Sequence, residues 1–276
     1  MARFRHRAKW AMGWLLLPLA AHWLGQPARA QITPQEITFK SGGLMLHGFL
    51  WKPEGNGPFP ALLWNHGSEK LPGSQPVLAQ FYLAHGYVFF APHRRGQGRS
   101  PGPYIQDLVM QAPPMQRAAR MLELQDEEVQ DVIAALNFLK AQPFVDTARL
   151  AISGCSYGGI QTLLAGEHDL GVKALIPFAP GAQSWAGSSD VASRLIRAVD
   201  RDKAPVFLLQ AQNDYNLGPS EVLGNEAGKK HLDLRTKIYP PFGRTTQDGH
   251  WGFCSTATDV WGADVLAFLD AHLQAK

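Results

Sequence analysis

The six residues Gly154-Cys155-Ser156-Tyr157-Gly158-Gly159 constrain this chain more than any other stretch. They follow the apolar run Leu150-Ala151-Ile152 and precede a segment able to become a helix. The reading is a buried strand that turns sharply into a helix, with Ser156 held in a strained conformation at the tip. So tight a turn tolerates only small neighbours. Gly154 and Gly158 carry no Cβ to clash across it, and Gly159 lets the new helix lie close to the adjoining strand. The helix N-terminus then aims unpaired N–H groups and a partial positive charge at Ser156, which suits an anion forming on whatever the serine attacks. Gly-x-Ser-x-Gly recurs by chance in unrelated loops; the strand before it, the helix after it and an amphipathic helix upstream set this one apart.

A chain of 276 residues is long enough for one α/β domain with a full core, and no linker or low-complexity tract divides it. Residues 1–30 read differently. Arg3, Arg5, Arg7 and Lys9 make a basic start, Trp10 to Leu24 is mostly apolar, and Ala28-Arg29-Ala30 has the small-x-small form of a cleavage site. This is the pattern of a secretory signal peptide, which leaves 31–276 as a single domain. An uncleaved anchor is the competing reading, but Pro18 and His22 leave little for a span. Of the 26 Lys and Arg, five lie in that leader with no acidic residue, so removal leaves 21 against 23 Asp and Glu and turns a net charge of +3 into −2. The basic balance of the whole chain therefore does not point to nucleic acid.

Only two cysteines are present, Cys155 and Cys254. Two buried free thiols are the ordinary reading; a bridge, which an oxidising compartment would permit, is the alternative.

In chain order, strand-like runs at 36–40 and 44–50 flank the turn Ser41-Gly42-Gly43, an expected antiparallel hairpin. The nearly continuous apolar run from Pro60 ends in the polar loop His66-Gly67-Ser68, as expected of a strand covered on both faces. Val77, Leu78, Phe81 and Tyr82 recur at helical spacing before Gly86, and Tyr87 to Ala91 is another buried strand. Gly96-Gln97-Gly98 follows that strand, but Pro101 stands where a dinucleotide fingerprint needs its third glycine, so the stretch reads as a turn. Residues 101–120 carry no clear pattern. Val129, Val132, Ile133, Leu136 and Leu139 mark a helix ending before Pro143. Strands are expected at 172–178, 205–210 and 234–239, with a loop-rich segment at 179–203, a helix from about Pro219 to Lys230, and a last helix showing Trp261, Val265, Phe268 and Leu269. Alternating strands and helices predict a mostly parallel central sheet with helices on both faces and an antiparallel N-terminal hairpin.

A serine hydroxyl is a poor nucleophile near neutral pH and needs a base within hydrogen-bond reach and a third group to orient that base. Catalytic groups of such sheets gather at the carboxyl ends of the strands. Asp214 lies just past one such end and His250 in the loop after the last strand, giving the chain order Ser156, Asp214, His250. His231, before a strand, and His272, in the terminal helix, sit where surface or packing roles are usual. Asp190 and Asp200 are alternative acids, and Asp248 is a candidate for ordering its loop. For an oxyanion hole the expected donors are Tyr157 N–H, directly after the serine, and Ser68 N–H from the loop after the Leu62-Leu63-Trp64 strand, with His66 holding that loop.

With these residues in place the chain resembles the α/β-hydrolase family, and within it the dienelactone-hydrolase-like group and the catalytic domains of prolyl-oligopeptidase-type peptidases. The match rests on His66-Gly67-Ser68, Arg95-Gly96-Gln97-Gly98-Arg99-Ser100, Gly154 to Gly159, and Asp214 with His250. Dienelactone hydrolases proper have a cysteine where Ser156 stands, and the propeller domain of prolyl oligopeptidases has no counterpart in these residues. The expectation is an exported, periplasmic or secreted, carboxylic-ester hydrolase working through an acyl-enzyme. The alternatives are a peptidase or amidase with the same triad, and a binding protein that has lost catalysis. No metal or organic cofactor, no nucleic acid and no lasting membrane insertion is expected, and the partner is a small-molecule ester. Trp185, Tyr215, Trp251 and Phe253 are candidates for an aromatic pocket.

Overall fold

The computed structural model describes residues 33–274 and Met1. The expected signal peptide, apart from Met1, lies outside the described residues.

The hairpin forms where the turn signal places it. β1 (Gln35–Ser41) and β2 (Leu44–Trp51) pair antiparallel across Gly42, which sits at φ +55°. The remaining strands are β3 (Phe59–Asn65), β4 (Val88–Pro92), β5 (Val145–Cys155), β6 (Ala174–Phe178), β7 (Val206–Ala211) and β8 (Leu234–Tyr239). They form one sheet in the order β1-β2-β4-β3-β5-β6-β7-β8. β2 is antiparallel to β4, and every pair from β4 to β8 is parallel.

The helices are α1 (Pro76–Ala84), α2 (Ile105–Gln111), α3 (Arg117–Lys140), α4 (Tyr157–Gly166), α5 (Ser189–Val199), α6 (Gly218–Lys230), α7 (Phe253–Thr256) and α8 (Thr258–Leu273). Alternating side chains of the central strands enter two separate cores, as the period of two in a strand requires. Ala61, Leu63, Leu150, Ile152 and Leu208 pack under α3, α4 and α5. Leu62, Trp64, Ala151, Ile176 and Leu209 pack under α1 and α8, where Trp261, Val265, Phe268 and Leu269 are all buried.

One expectation is corrected and two segments left open are filled. The 179–203 segment is not loop throughout, since α5 occupies 189–199. Ser188 caps it by accepting the Val191 N–H at 3.3 Å, and Val191, Leu195, Ala198 and Val199 are buried at helical spacing. Residues 101–120 contain α2, a 3-10 turn at Pro114–Gln116 and the start of α3. α3 itself begins at Arg117, earlier than the apolar spacing from Val129 marks, because its first turns bury no residue before Leu124.

The topology fixes where a site can form. Successive strands run outward on opposite sides of β3, with β4 on one side and β5 on the other, so the loops leaving β3 and β5 diverge at their carboxyl ends. That is the place such sheets leave a crevice. Trp64 pairs with Ser153 and Asn65 with Gly154. This register sets the His66-Gly67-Ser68 loop beside Ser156.

Candidate active site

Ser156 adopts φ 57°, ψ −114°, a left-handed backbone that costs a non-glycine residue about 1–3 kcal/mol. The surroundings hold it there. Its N–H donates to Phe178 O at 2.9 Å, and its carbonyl accepts from Ile160 N–H at 3.1 Å. The glycines are sterically obligatory: a Cβ on Gly154 would lie 2.4 Å from Gly158 O, and one on Gly158 would lie 1.9 Å from Asn65 O. At Gly159 it would come within 2.8 Å of Phe178 O, the close helix–strand approach expected.

Asp214, three residues past β7, and His250, in a π-helical turn at Asp248–Gly252, meet at 2.7 Å between Oδ1 and Nδ1, both side chains fully buried. Donation from Nδ1–H to a carboxylate leaves the Nε2 lone pair free, and Nε2 has no hydrogen-bond partner. The other Asp214 oxygen accepts from Gln210 Nε2 at 2.9 Å, while Gln210 Oε1 is fixed by the Ser220 hydroxyl at 2.7 Å. Asp248 accepts from the Arg244 and Thr245 N–H groups, both at 2.9 Å, and these bonds hold its carboxyl below the usual range. It orders the turn leading to His250. Among the described residues no hydrogen bond joins Ser156 to His250; the two are brought to the same edge of the sheet through their neighbours.

Those neighbours are the cysteines. Cys155 and Cys254 form a disulfide with Cα atoms 5.9 Å apart, closing a sequence separation of 99. The expectation of free thiols is thus corrected. β5 ends at Cys155 and the helical run carrying His250 continues to Cys254, so the sheet edge that gathers Ser156 and His250 also gathers the thiols.

Tyr157 stands at the first position of α4, where a helix has no acceptor of its own for the N–H. Ser68 lies in the loop after β3, and its carbonyl accepts from the Tyr104 hydroxyl. His66 anchors that loop. Its Nδ1 bonds Gly67 O at 2.9 Å, its Nε2 accepts Arg94 N–H at 3.3 Å, and burial followed by the charge of Arg94 pulls its pKa well down, keeping it neutral. Sequence reasoning missed the group behind it. Arg94 is 2% exposed, donates to Gly67 O at 2.6 Å and lies 4.9 Å from the centre of the Tyr157 ring. Its Nε is 3.3 Å from Glu128 Oε2, close but not aligned as a hydrogen bond. Burial, opposed by Arg94, pushes the Glu128 carboxyl up to about 7. The adjacent Arg95 pairs with Asp131 at 2.7 Å. The one available signal was the Arg94-Arg95 pair, matched by two acids three residues apart on α3.

Beside these residues lies a cavity of about 530 Å³, lined by Trp64, Ser68, Glu69, Gln183, Trp251 and both cysteines among others; it is bordered by the neighbours of Ser156 and His250 rather than by those two side chains. Of the four proposed aromatic residues, Trp251 is in its wall. Tyr215 sets its ring edge-on 5.1 Å from His250, whereas Phe253 is core and Trp185 packs over Gly218. Trp64 was missed because its strand reads as uniformly buried. Glu69 is the one formal charge among the lining residues; its Oε2 lacks a hydrogen-bond partner, and burial raises its pKa. His231 ends α6 in a left-handed conformation and His272 packs on Phe268, both away from this site.

Such a fold, with a serine elbow and an aspartate–histidine pair at one sheet edge, defines a serine hydrolase of the α/β-hydrolase class. Residues 42–212, more than half of the chain, match the X-Pro dipeptidyl-peptidase (S15) family, and the chain belongs to that family. It is 29% identical over 250 residues to dipeptidyl-peptidase 5 of Porphyromonas gingivalis, covering 76% of this chain and 33% of that protein. The chain thus spans about a third of the length of the curated relatives it matches. Among solved structures it superposes on an acylaminoacyl peptidase of Pyrococcus horikoshii with a TM-score of 0.68 at 20% identity, over 89% of this chain and 43% of that one. An esterase of Pyrococcus furiosus gives 0.65 at 15% identity, over 88% and 92%. At those identities the two structures share the fold.

Proposed function

We propose that this chain is an exported serine hydrolase that cleaves acyl bonds through an acyl-enzyme, with peptide bonds near a free amino group as its main target. Ser156 Oγ attacks the carbonyl while its proton passes to His250 Nε2, the atom left unpartnered by the Asp214 bond at Nδ1. Asp214 stabilises the imidazolium, and His250 then protonates the leaving amine. Tyr157 and Ser68 N–H groups hold the oxyanion, each such donor contributing about 3 kcal/mol in comparable sites. Water repeats the sequence to release the acyl group.

The observation that carries the peptide reading is Glu69. A desolvated carboxylate oxygen without a partner, in a cavity walled by Trp64 and Trp251, is complementary to a substrate ammonium through charge and through the ring faces. Membership in the X-Pro dipeptidyl-peptidase family supports the same reading. Simple esters are the second reading, supported by the likeness along nearly the full length of the Pyrococcus furiosus esterase. Export is supported by the leader-like residues 1–30 and by the paired cysteines.

Matched aminoacyl esters and anilides, each with a free or an acetylated amine, separate these readings. Free-amine substrates are expected to show kcat/KM at least about tenfold above their acetylated partners, in both the ester and the anilide series. Turnover confined to esters, with no preference for a free amine, would contradict the peptide reading and favour the ester one.

A further inference from the structure

The disulfide occupies a position that stability alone does not require. Cys155 is the residue immediately before Ser156, and Cys254 follows His250 by four residues in the continuous helical run from Asp248 to Thr256. Residues four apart in a helical run share one face. The face that carries the imidazole is therefore the face bonded to the elbow.

The other ties on His250 run through the neighbouring strands and are non-covalent. Asp214 holds it from the loop after β7, two strands away from β5 in the sheet order. Phe253, next to Cys254, packs its ring on Phe178 of β6 and Tyr239 of β8. Asn213, which bonds the Phe242 and Thr245 carbonyls at 2.9 Å, again fixes the His250 loop to the end of β7. Nε2, the atom that must face the serine, has no partner, and the turn carrying His250 is a π-turn rather than a regular α-helix. Among the described residues, the bond between Cys155 and Cys254 is the covalent link from the serine's elbow to the element bearing its base, beside the packing of Phe253 on Phe178, whose carbonyl accepts the Ser156 N–H.

We infer that Cys155 and Cys254 are positioning residues for the serine reaction, their disulfide keeping His250 in register with Ser156. This rests on the serine-hydrolase reading above. Reduction by a dithiol breaks the sulfur–sulfur bond, adds two electrons and two protons to give two thiols, and converts the reductant to its own disulfide. The elbow and the His250 run are then joined by packing alone. A misplacement of about 1 Å between nucleophile and base costs on the order of a hundredfold in rate, so slower acylation is the consequence. Both cysteines border the cavity but are buried, Cys155 being 2% and Cys254 0% exposed, so thiol titration of the treated protein verifies that the bond has been reduced.

The test uses the full protein oxidised, reduced with dithiothreitol, and reoxidised, together with a Cys155→Ala/Cys254→Ala double variant. Circular dichroism verifies the folded state at the assay temperature. The readouts are kcat, KM and the second-order rate of fluorophosphonate labelling of Ser156. In folded reduced protein and in folded double variant, kcat and labelling rate are expected to fall at least about tenfold with KM within about twofold, and reoxidation of the reduced protein restores both. Folded protein without the bond that labels and turns over at the oxidised rate would overturn the inference and leave the bond as a brace for stability. Unfolding of both bond-free forms at every assay temperature would overturn it equally. An oxidised protein that is folded but neither labels nor turns over would refute the serine reading itself, a separate outcome.

Discussion

In the proposed reaction Asp214 acts only through His250, and the geometry says how. One oxygen accepts from Nδ1–H at 2.7 Å and the other accepts from Gln210 Nε2 at 2.9 Å, so the ring is held in a single tautomer with Nε2 available. Asp214→Asn presents an amide that can donate to Nδ1 and stabilise the opposite tautomer. It is expected to lower kcat by a factor on the order of 10³–10⁴ while the protein stays folded, measurable by steady-state kinetics on any turned-over substrate. A loss below about tenfold would show that another acid, such as Asp190 or Asp200, serves His250. The places of Ser156, Asp214 and His250 at one edge of the sheet, and the pairing of the last two, were legible in the sequence because each is a polar residue directly after a recognisable strand or inside a glycine-marked turn. Glu69, Arg94 and Glu128 were not. Their roles come from desolvation and from pairing between segments far apart in the chain, which no local spacing records. The cysteine pairing lay between these cases: the neighbours of Ser156 and His250 had to approach, but only the folded geometry brings their Cα atoms to 5.9 Å.

At the scale of elements, α3 does more than cover the sheet. Glu128 and Asp131 on its buried face receive Arg94 and Arg95 from the loop after β4, and Arg94 carries that tie onward to Gly67 O beside Ser68. The Glu128 carboxyl, pushed up to about 7 by burial, retains a proton in the folded protein at pH values where the unfolded chain has released it. Between the ordinary range near 4.5 and about 7 the folded state binds more protons than the unfolded state. The stabilisation from this group is therefore complete below the lower value and is lost as pH rises through the upper one. Glu128→Gln removes that titration. Urea unfolding of native protein and variant at pH 5, 6 and 7 is expected to give a stability difference that shifts in the variant's favour by up to about 1.4 kcal/mol per pH unit across this window. A difference independent of pH would place the folded-state pKa of Glu128 in the normal range. The strands were read well because burial on both faces leaves continuous apolar runs. The helices were read less well where charge masks the period: α5 has Asp190, Arg194 and Arg197 between its buried residues, although its Ser188 cap and its four-residue apolar steps were there to be found.

For the molecule as a whole, one sheet gathers the Ser156 elbow after β5, Asp214 after β7, His250 after β8 and the Ser68 loop after β3 at the carboxyl edge of its strands. The cavity at that edge has its own charge, its own aromatic walls and a disulfide in its lining. Chain order and strand alternation were enough to foresee this assembly, since a parallel sheet leaves its loops few places to meet. What the cavity accepts was beyond the sequence, because Trp64 and Glu69 become wall residues only once β3 and its loop are placed beside Trp251. The claim on which all of this depends is that Ser156 is an activated nucleophile. Intact mass of the purified protein and of its Ser156→Ala variant, each treated with a fluorophosphonate probe, tests it most directly. The expected result is a single adduct on the native protein that is absent from the variant. A folded native protein without an adduct, or a variant that still carries one, would contradict it.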